Sequence, residues 1–282
     1  MMESQSFMSI SLSRQPRLSP EQVAAYHQQG FLICPEPILP EAKFHRLKEH
    51  FERELAALSP AARPESMDVP HFTDVALFEW LFADEILDLV EPITGPDIAL
   101  FSSHFICKPK GDGRRVPWHE DSAYWKTMLP TMDTLVTVWL AIDPSLRENG
   151  CMYVIPRTHR EGQKGFSDYE AVDPAKNVFS NEIIRPHRDE SKAVPCILQP
   201  NRASLHDSRL IHGSAENTSD LRRCGYTMRF MSSRLRLGDA ARAYHQIYLA
   251  RGRDLAGQEY GDPRKPADLL LARRKTLGKR GH

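Results

Sequence analysis

The tetrapeptide Trp118-His119-Glu120-Asp121 and a distant histidine in Leu210-Ile211-His212-Gly213-Ser214 constrain this chain more than any other feature. On an extended strand, residues two apart face the same side, so His119 and Asp121 can approach one cation together. Two imidazoles and one carboxylate on one side of an octahedral ion leave three positions open. That arrangement suits non-haem Fe(II) centres that activate O2. Arg223, eleven residues past His212, adds a planar fork that matches a carboxylate.

The rest of the chain fits a soluble protein with a substantial core. Its 282 residues are 41% hydrophobic and 26% charged, and the 37 basic and 37 acidic side chains cancel. No global field draws it to nucleic acid or an anionic membrane, and no basic face interleaved with aromatics is present. No apolar run is long enough to span a bilayer. Met1 to Phe7 lacks the pattern of a secretory signal, and Lys279-Arg280-Gly281-His282 is not a peroxisomal address. Five scattered cysteines without CxxC spacing suggest neither a disulfide framework nor a zinc knuckle, so a cytoplasmic location is expected.

Patterning divides the chain into helices first and strands later. Ser19-Pro20-Glu21 reads as a helix start, with a stop near Gly30 and a short strand over Phe31 to Cys34. Pro40 opens a second helix carrying Phe44, Leu47, Phe51 and Leu55 at helical spacing. A proline-containing loop is expected from Ser59 to Pro70, then further helix over Val75 to Val90. Strands are expected over Ile98–Cys107, Leu135–Ile142, Cys151–Ile155, Pro195–Leu198, Ala203–Leu205 and Tyr226–Met231. The resulting expectation is a flexible leader over 1–17 and a single domain over 18–250. Within it, 18–97 supply helical support and 98–235 a β core with a polar insertion at 157–193. A basic surface tail follows at 251–282. The class is α+β, mainly β.

Several residues compete for these roles. His206 lies six positions before His212, an even offset that keeps it on one strand face and makes it a rival third ligand. His187-Arg188-Asp189 repeats the His-x-Asp pattern among charges and reads as a solvated loop. Arg222 is the alternative to Arg223.

Taken together, the motifs resemble the phytanoyl-CoA dioxygenase family of Fe(II)/2-oxoglutarate oxygenases. The resemblance runs from Leu18-Ser19-Pro20-Glu21-Gln22 and Gly30-Phe31-Leu32 through Lys108-Pro109 and Trp118 to Tyr124. It continues in Thr137 to Asp143, Glu148-Asn149-Gly150-Cys151 and Val154 to His159, and ends with His212-Gly213-Ser214, Asn217-Thr218-Ser219 and Arg223. It implies a double-stranded β-helix (a jelly-roll, cupin-like core) buttressed by N-terminal helices. It implies iron on His119, Asp121 and His212. Arg223 would bind the distal carboxylate of 2-oxoglutarate, helped by Ser214 and Trp139, with His104 lining the same site. The eleven-residue offset favours Arg223 over Arg222. Tyr124, Trp125, Arg157 and the insertion are the candidates for the substrate pocket. Arg157 stands where many members carry a small residue.

The implied reaction uses Fe(II), 2-oxoglutarate and O2 to hydroxylate or desaturate a small molecule, releasing succinate and CO2. Asp121 favours this over halogenation, in which a small residue replaces the carboxylate. A zinc hydrolase or cupin-like isomerase with the same ligands is one rival, and it gives Arg223 no task. A catalytically silent binding protein is the other. A small-molecule partner is expected, without nucleic acid or membrane, and the oligomeric state is left open.

Overall fold

The computed structural model describes residues 17–160, 168–267 and 270. It begins with α1 (Pro20–Gln29) and β1 (Phe31–Cys34), then α2 (Glu41–Ala57), β2 (Met67–Asp68), α3 (Phe78–Leu81) and α4 (Asp84–Thr94). The strand-rich part holds β3 (Ile98–Lys108), β4 (Val116–His119), the one-turn α5 (Asp121–Trp125), β5 (Val136–Ala141) and β6 (Met152–Val154). Next come β7 (Tyr169–Ala171), β8 (Asn181–Ile183), β9 (Val194–Pro195), β10 (Ala203–Asp207), β11 (His212–Ser214), β12 (Arg223–Ser232) and β13 (Tyr248–Arg251).

The strands form two main antiparallel sheets. The larger runs β1-β10-β5-β12-β3-β13, with β2 also on β3, and the smaller runs β4-β11-β6-β9. Residues of both line one cleft, and β7 pairs with β8 as a separate hairpin. This is the double-stranded β-helix architecture, with helices against the outside of the large sheet.

Alternation along the strands explains the layering. Val136, Val138 and Leu140 of β5 and Cys224, Tyr226, Met228 and Phe230 of β12 turn outward into the main core. There they meet Leu47 and Phe51 of α2 and Ile86, Leu89 and Val90 of α4. Phe51, Phe105 and Tyr226 stack in series, with ring centres 5.2 and 4.2 Å apart. Each such fully buried apolar side chain contributes roughly 1.5–3 kcal/mol. The intervening residues of the same strands face the cleft, so the core and the site share a backbone.

Local signals set the helix ends. Ser19 and Gln22 form a capping box at the start of α1, and Gly30 closes it at φ 84°. A side chain at Gly30 would collide with His159, which lies 2.4 Å from where a Cβ would stand. Differences from expectation occur where chain order and pairing partner matter more than local pattern. The loop expected at Ser59 to Pro70 contains β2, recruited by pairing with Phe105 and His104 of β3. The strand expected over Pro195–Leu198 is only the two-residue edge β9. The expected tail begins as structure. Arg251 closes β13 and pairs with Asp84, Asp88 and Glu91 near α4 at 2.7–2.8 Å. Gln258 bonds the backbone of Leu235 and Leu237 at 2.7 and 2.9 Å. The clusters Arg273-Arg274-Lys275 and Lys279 to His282, and the leader before Arg17, lie outside the described residues.

Candidate metal and anion site

His119 ends β4 directly opposite His212, which opens β11. This cross-strand pairing brings the two remote motifs together, with ring centres 4.1 Å apart. Each imidazole is oriented alike. Nδ1 of His119 lies 2.8 Å from the carbonyl of Pro117, and Nδ1 of His212 lies 2.8 Å from that of Leu210. A carbonyl only accepts, so Nδ1 carries the proton and Nε2 keeps its lone pair for a metal. Asp121 is no longer strand but the first residue of α5. Glu120 remains extended (φ −113°, ψ 130°), which keeps Asp121 on the same side as His119. One ligand atom from each of His119, Asp121 and His212 lies within 4.8 Å of the others, and all three residues are buried.

The electrostatics favour metal-ready protonation states. Burial alone would raise the Asp121 pKa. The Arg229 guanidinium beside it, with the nearby His119, His206 and His212 rings, reverses this and holds it well below the usual carboxylate range. Burial, then the neighbouring His119 and His206, pushes His212 well below the usual imidazole range, so it is neutral. His206 also borders the cleft, with its ring centre 4.8 Å from that of His212. It does not belong to the converging set of three.

A second feature lies at the other end of the cleft. Arg223 and Lys108 are register partners on β12 and β3, 2% and 0% exposed. Among the described residues neither has a carboxylate in ion-pair reach. Arg223 bonds Ser214 Oγ at 3.4 Å and lies 5.4 Å from the centre of the Trp139 ring, and its Nε has no partner. Lys108 Nζ donates to the carbonyls of Ala215 and, at 3.5 Å, Ser214. Burial lowers the Arg223 pKa to about 10, and burial followed by Arg223 itself pushes Lys108 well below the usual lysine range. Two adjacent buried basic groups with no carboxylate in ion-pair reach favour an anion that joins them. Gly225 makes the arrangement possible, because its Cβ would stand 2.2 Å from the Trp139 indole. Arg222 points elsewhere, pairing with Glu52 and Asp143 over the ring of Phe51.

Together the metal set, Arg223 and Lys108 border one cleft. His104 lines it, its Nε2 donating to the carbonyl of Glu65 at 2.9 Å. Tyr124 sits beside the metal set, 5.9 Å from the His119 ring. The insertion reaches the site through Val178 and Phe179, the latter 4.9 Å from the His119 ring and 5.2 Å from that of Tyr124. Two expected substrate residues are not brought there. Trp125 is packed with Phe101, Met128 and Met231 in a separate core, because the turn of α5 points it away from His119. Arg157 is exposed at φ 74°, its N–H bonded to the carbonyl of Gln29 at the end of α1.

His187-Arg188-Asp189 is not a solvated loop throughout. Arg188 is buried and pairs at 2.9 Å with Glu182, the carboxylate that also holds Arg115. Sequence reasoning missed Lys108, Thr137, Arg229 and Phe179 as cleft or ligand neighbours. Strand parity carried a signal for Lys108, which shares a face with His104, and for Arg229, which shares one with Arg223. Phe179 carried none.

Two facing antiparallel sheets, with a two-histidine, one-carboxylate set at one end of the cleft, define the double-stranded β-helix class of metal-dependent proteins. Within that class, the chain belongs to the phytanoyl-CoA dioxygenase (PhyH) family, whose family model matches residues 18–225. It is 28% identical over 238 residues to human peroxisomal phytanoyl-CoA dioxygenase, a match covering 77% of this chain and 69% of that protein. It is 29% identical over 164 residues to a probable alpha-ketoglutarate-dependent hypophosphite dioxygenase of Stutzerimonas stutzeri, covering 55% of this chain and 52% of that one. The fold is shared with EctD from S. alaskensis, solved with 2-oxoglutarate and 5-hydroxyectoine. That similarity has a TM-score of 0.64 at 20% identity, over 87% of this chain and 89% of EctD.

Proposed function

We propose that this chain is an Fe(II)- and 2-oxoglutarate-dependent dioxygenase that hydroxylates or desaturates a C–H bond of a small molecule. The observation that carries this reading is the pairing of the His119, Asp121 and His212 set with the buried, uncompensated Arg223. A zinc hydrolase needs the first and has no use for the second. The donor set fits iron: two imidazole Nε2 atoms and one carboxylate oxygen leave positions for a chelating cosubstrate and O2. With these bound, the centre supplies oxidative decarboxylation to succinate and CO2, coupled to C–H oxidation.

The residues divide the remaining work. Arg223 and Ser214 bind the distal carboxylate of the cosubstrate, and Lys108 adds a second positive group beside it. Trp139 holds Arg223 from the side, and His104 lines the same end of the cleft. Tyr124 and Phe179 wall the metal set and exclude water. The substrate is a small molecule admitted past the insertion. A small polar metabolite or natural-product intermediate suits the cleft better than an acyl-CoA, for which no recognition site is evident among the described residues. Five buried, free cysteines support a reducing compartment such as the cytoplasm. Among the described residues no helix is long and apolar enough to cross a membrane.

Incubation with Fe(II), 2-oxoglutarate, O2 and a panel of small metabolites, read as succinate by mass spectrometry, tests the reading. Metal- and cosubstrate-dependent succinate is expected, reduced about 10- to 100-fold in Arg223→Ala at sub-saturating 2-oxoglutarate. Protein that binds iron yet forms no succinate above the metal-free control across the panel would overturn it.

A further inference from the structure

Three neighbouring strands of the large sheet each send one polar side chain toward the same carboxylate oxygen. His206 on β10 stands opposite Thr137 on β5, and Thr137 stands opposite Arg229 on β12. They form a single rung across the inner face of the sheet. Oδ2 of Asp121 meets all three. Thr137 Oγ1 and Arg229 Nε each lie 3.5 Å away, and His206 Nε2 lies 3.9 Å away. The other oxygen, Oδ1, faces His119 Nε2 at 3.7 Å.

Arg229 is itself held in place. Its guanidinium carbon lies 5.1 Å from the centre of the Trp125 ring, and Trp125 stands one helical turn beyond Asp121 on α5. The guanidinium therefore bridges residues i and i+4 of one short helix, which share a face. This gives the buried Trp125 a role that its distance from the cleft would otherwise hide. It also accounts for a charged side chain, 8% exposed, in the middle of a central strand.

We propose that His206, Thr137 and Arg229, backed by Trp125, form a cradle that occupies Oδ2 of Asp121 and leaves Oδ1 as the metal-binding oxygen. The inference rests on the reading that His119, Asp121 and His212 hold iron. An unrestrained carboxylate offers a cation either one oxygen or two. A hydroxyl bonded to that oxygen, with a guanidinium and an imidazole from neighbouring strands facing it, favours the one-oxygen mode. That mode preserves the open position which two-oxygen binding would fill. All four are positioning residues, acting on the metal through Asp121.

Anaerobic titration of the full chain with Fe(II), and with Co(II) as a spectroscopic probe, tests the cradle. Arg229→Gln removes the charge, Arg229→Lys retains it, and Thr137→Val deletes one hydroxyl at nearly constant shape. The metal Kd is expected to rise about 10- to 100-fold in Arg229→Gln, the range for loss of a ligand's outer partner. Thr137→Val should raise it about 3- to 10-fold, and Arg229→Lys should recover part of the Arg229→Gln loss. The Co(II) d–d band of Arg229→Gln should shift as Asp121 engages with both oxygens, which a general loosening of the fold does not produce. Trp125→Leu should weaken binding in the same direction, and its effect should vanish in the Arg229→Gln background. If Arg229→Gln does not fold, Thr137→Val decides by the same two readouts. Variants that match the unsubstituted chain in Kd and Co(II) spectrum would overturn the cradle alone. Failure of the unsubstituted chain to bind either metal would overturn the metal reading and the cradle with it.

Discussion

The two sheets that face the cleft are built differently. The large sheet has strands of up to eleven residues, backed by α2 and α4 through a continuous apolar core. The small sheet has strands of two to four residues and is held from its flank by the insertion. Glu182 of β8 accepts from the N–H of Trp118 at 3.0 Å and pairs with Arg115 and Arg188. Tyr169 of β7 accepts from the N–H of Glu120 at 3.1 Å. Apolar burial fixes one wall, and a handful of charged and polar bonds fixes the other.

The functions divide along the same line. In the proposed function, the large sheet carries Arg223, Lys108, Trp139 and the rung beneath Asp121, which would serve chemistry common to any substrate. The small sheet carries both metal histidines, and the insertion places Phe179 over one of them. Variation in the insertion can therefore reshape the pocket while the cosubstrate end stays fixed.

Phe51→Ala should cost about 3–5 kcal/mol of stability by opening a cavity between α2 and the large sheet. Denaturant unfolding measures this, and the metal Kd of the folded fraction should be unchanged. Lys108→Met should act in two directions. Removing a buried basic group that lacks an ion-pair partner should leave the apo protein as stable or up to about 3 kcal/mol more stable. Cosubstrate affinity, read by calorimetry, should fall about 10-fold with loss of a charged partner.

Glu182→Gln should cost about 2 kcal/mol at neutral pH by removing charge-assisted bonds. Burial would raise the Glu182 pKa, but Arg115, the Trp118 N–H and Arg188 together lower it below 4.5. A folded value below the unfolded one means the unfolded state binds more protons in between. The stabilisation is thus fully present above pH 4.5 and is lost as pH falls through the folded value. Hydrogen-exchange protection over 169–183, corrected for the intrinsic pH dependence of amide exchange, should fall in that acid range in the unsubstituted chain and change little with pH in Glu182→Gln. Equal pH dependence in both would remove Glu182 as the clamp. The smallest stability effect, under about 1.5 kcal/mol, is expected for Phe179→Leu, an apolar replacement of similar size. Its consequence should be a changed ratio of kcat/KM among substrates at unchanged cosubstrate affinity.

What was legible in the sequence follows the same division. The large sheet showed itself through apolar alternation in Val136 to Ala141 and through helical spacing in Phe44, Leu47 and Phe51. His119, Asp121, His212 and Arg223 stood out because flanking residues and spacing agreed with a family pattern. β2 and β13 did not, since both become strands only by pairing with β3. Arg157 and Trp125 were misdirected for a related reason. Proximity in sequence to a motif does not say which way a turn aims a side chain. A one-turn helix sends Trp125 into a core, and a left-handed residue turns Arg157 to solvent. Phe179 was invisible because a long insertion reaches the metal set through tertiary contacts alone.

In the proposed function, the three-residue metal set and Arg223 form one binding unit for iron and 2-oxoglutarate. Anaerobic addition of Fe(II) and then 2-oxoglutarate, followed through the weak visible charge-transfer band of the chelate, tests it most directly. The account predicts a saturable band in the unsubstituted chain. It should be absent in His119→Ala and Asp121→Ala, and in Arg223→Ala it should need about 10- to 100-fold more cosubstrate. An iron-loaded chain that develops no band at saturating 2-oxoglutarate would contradict the account.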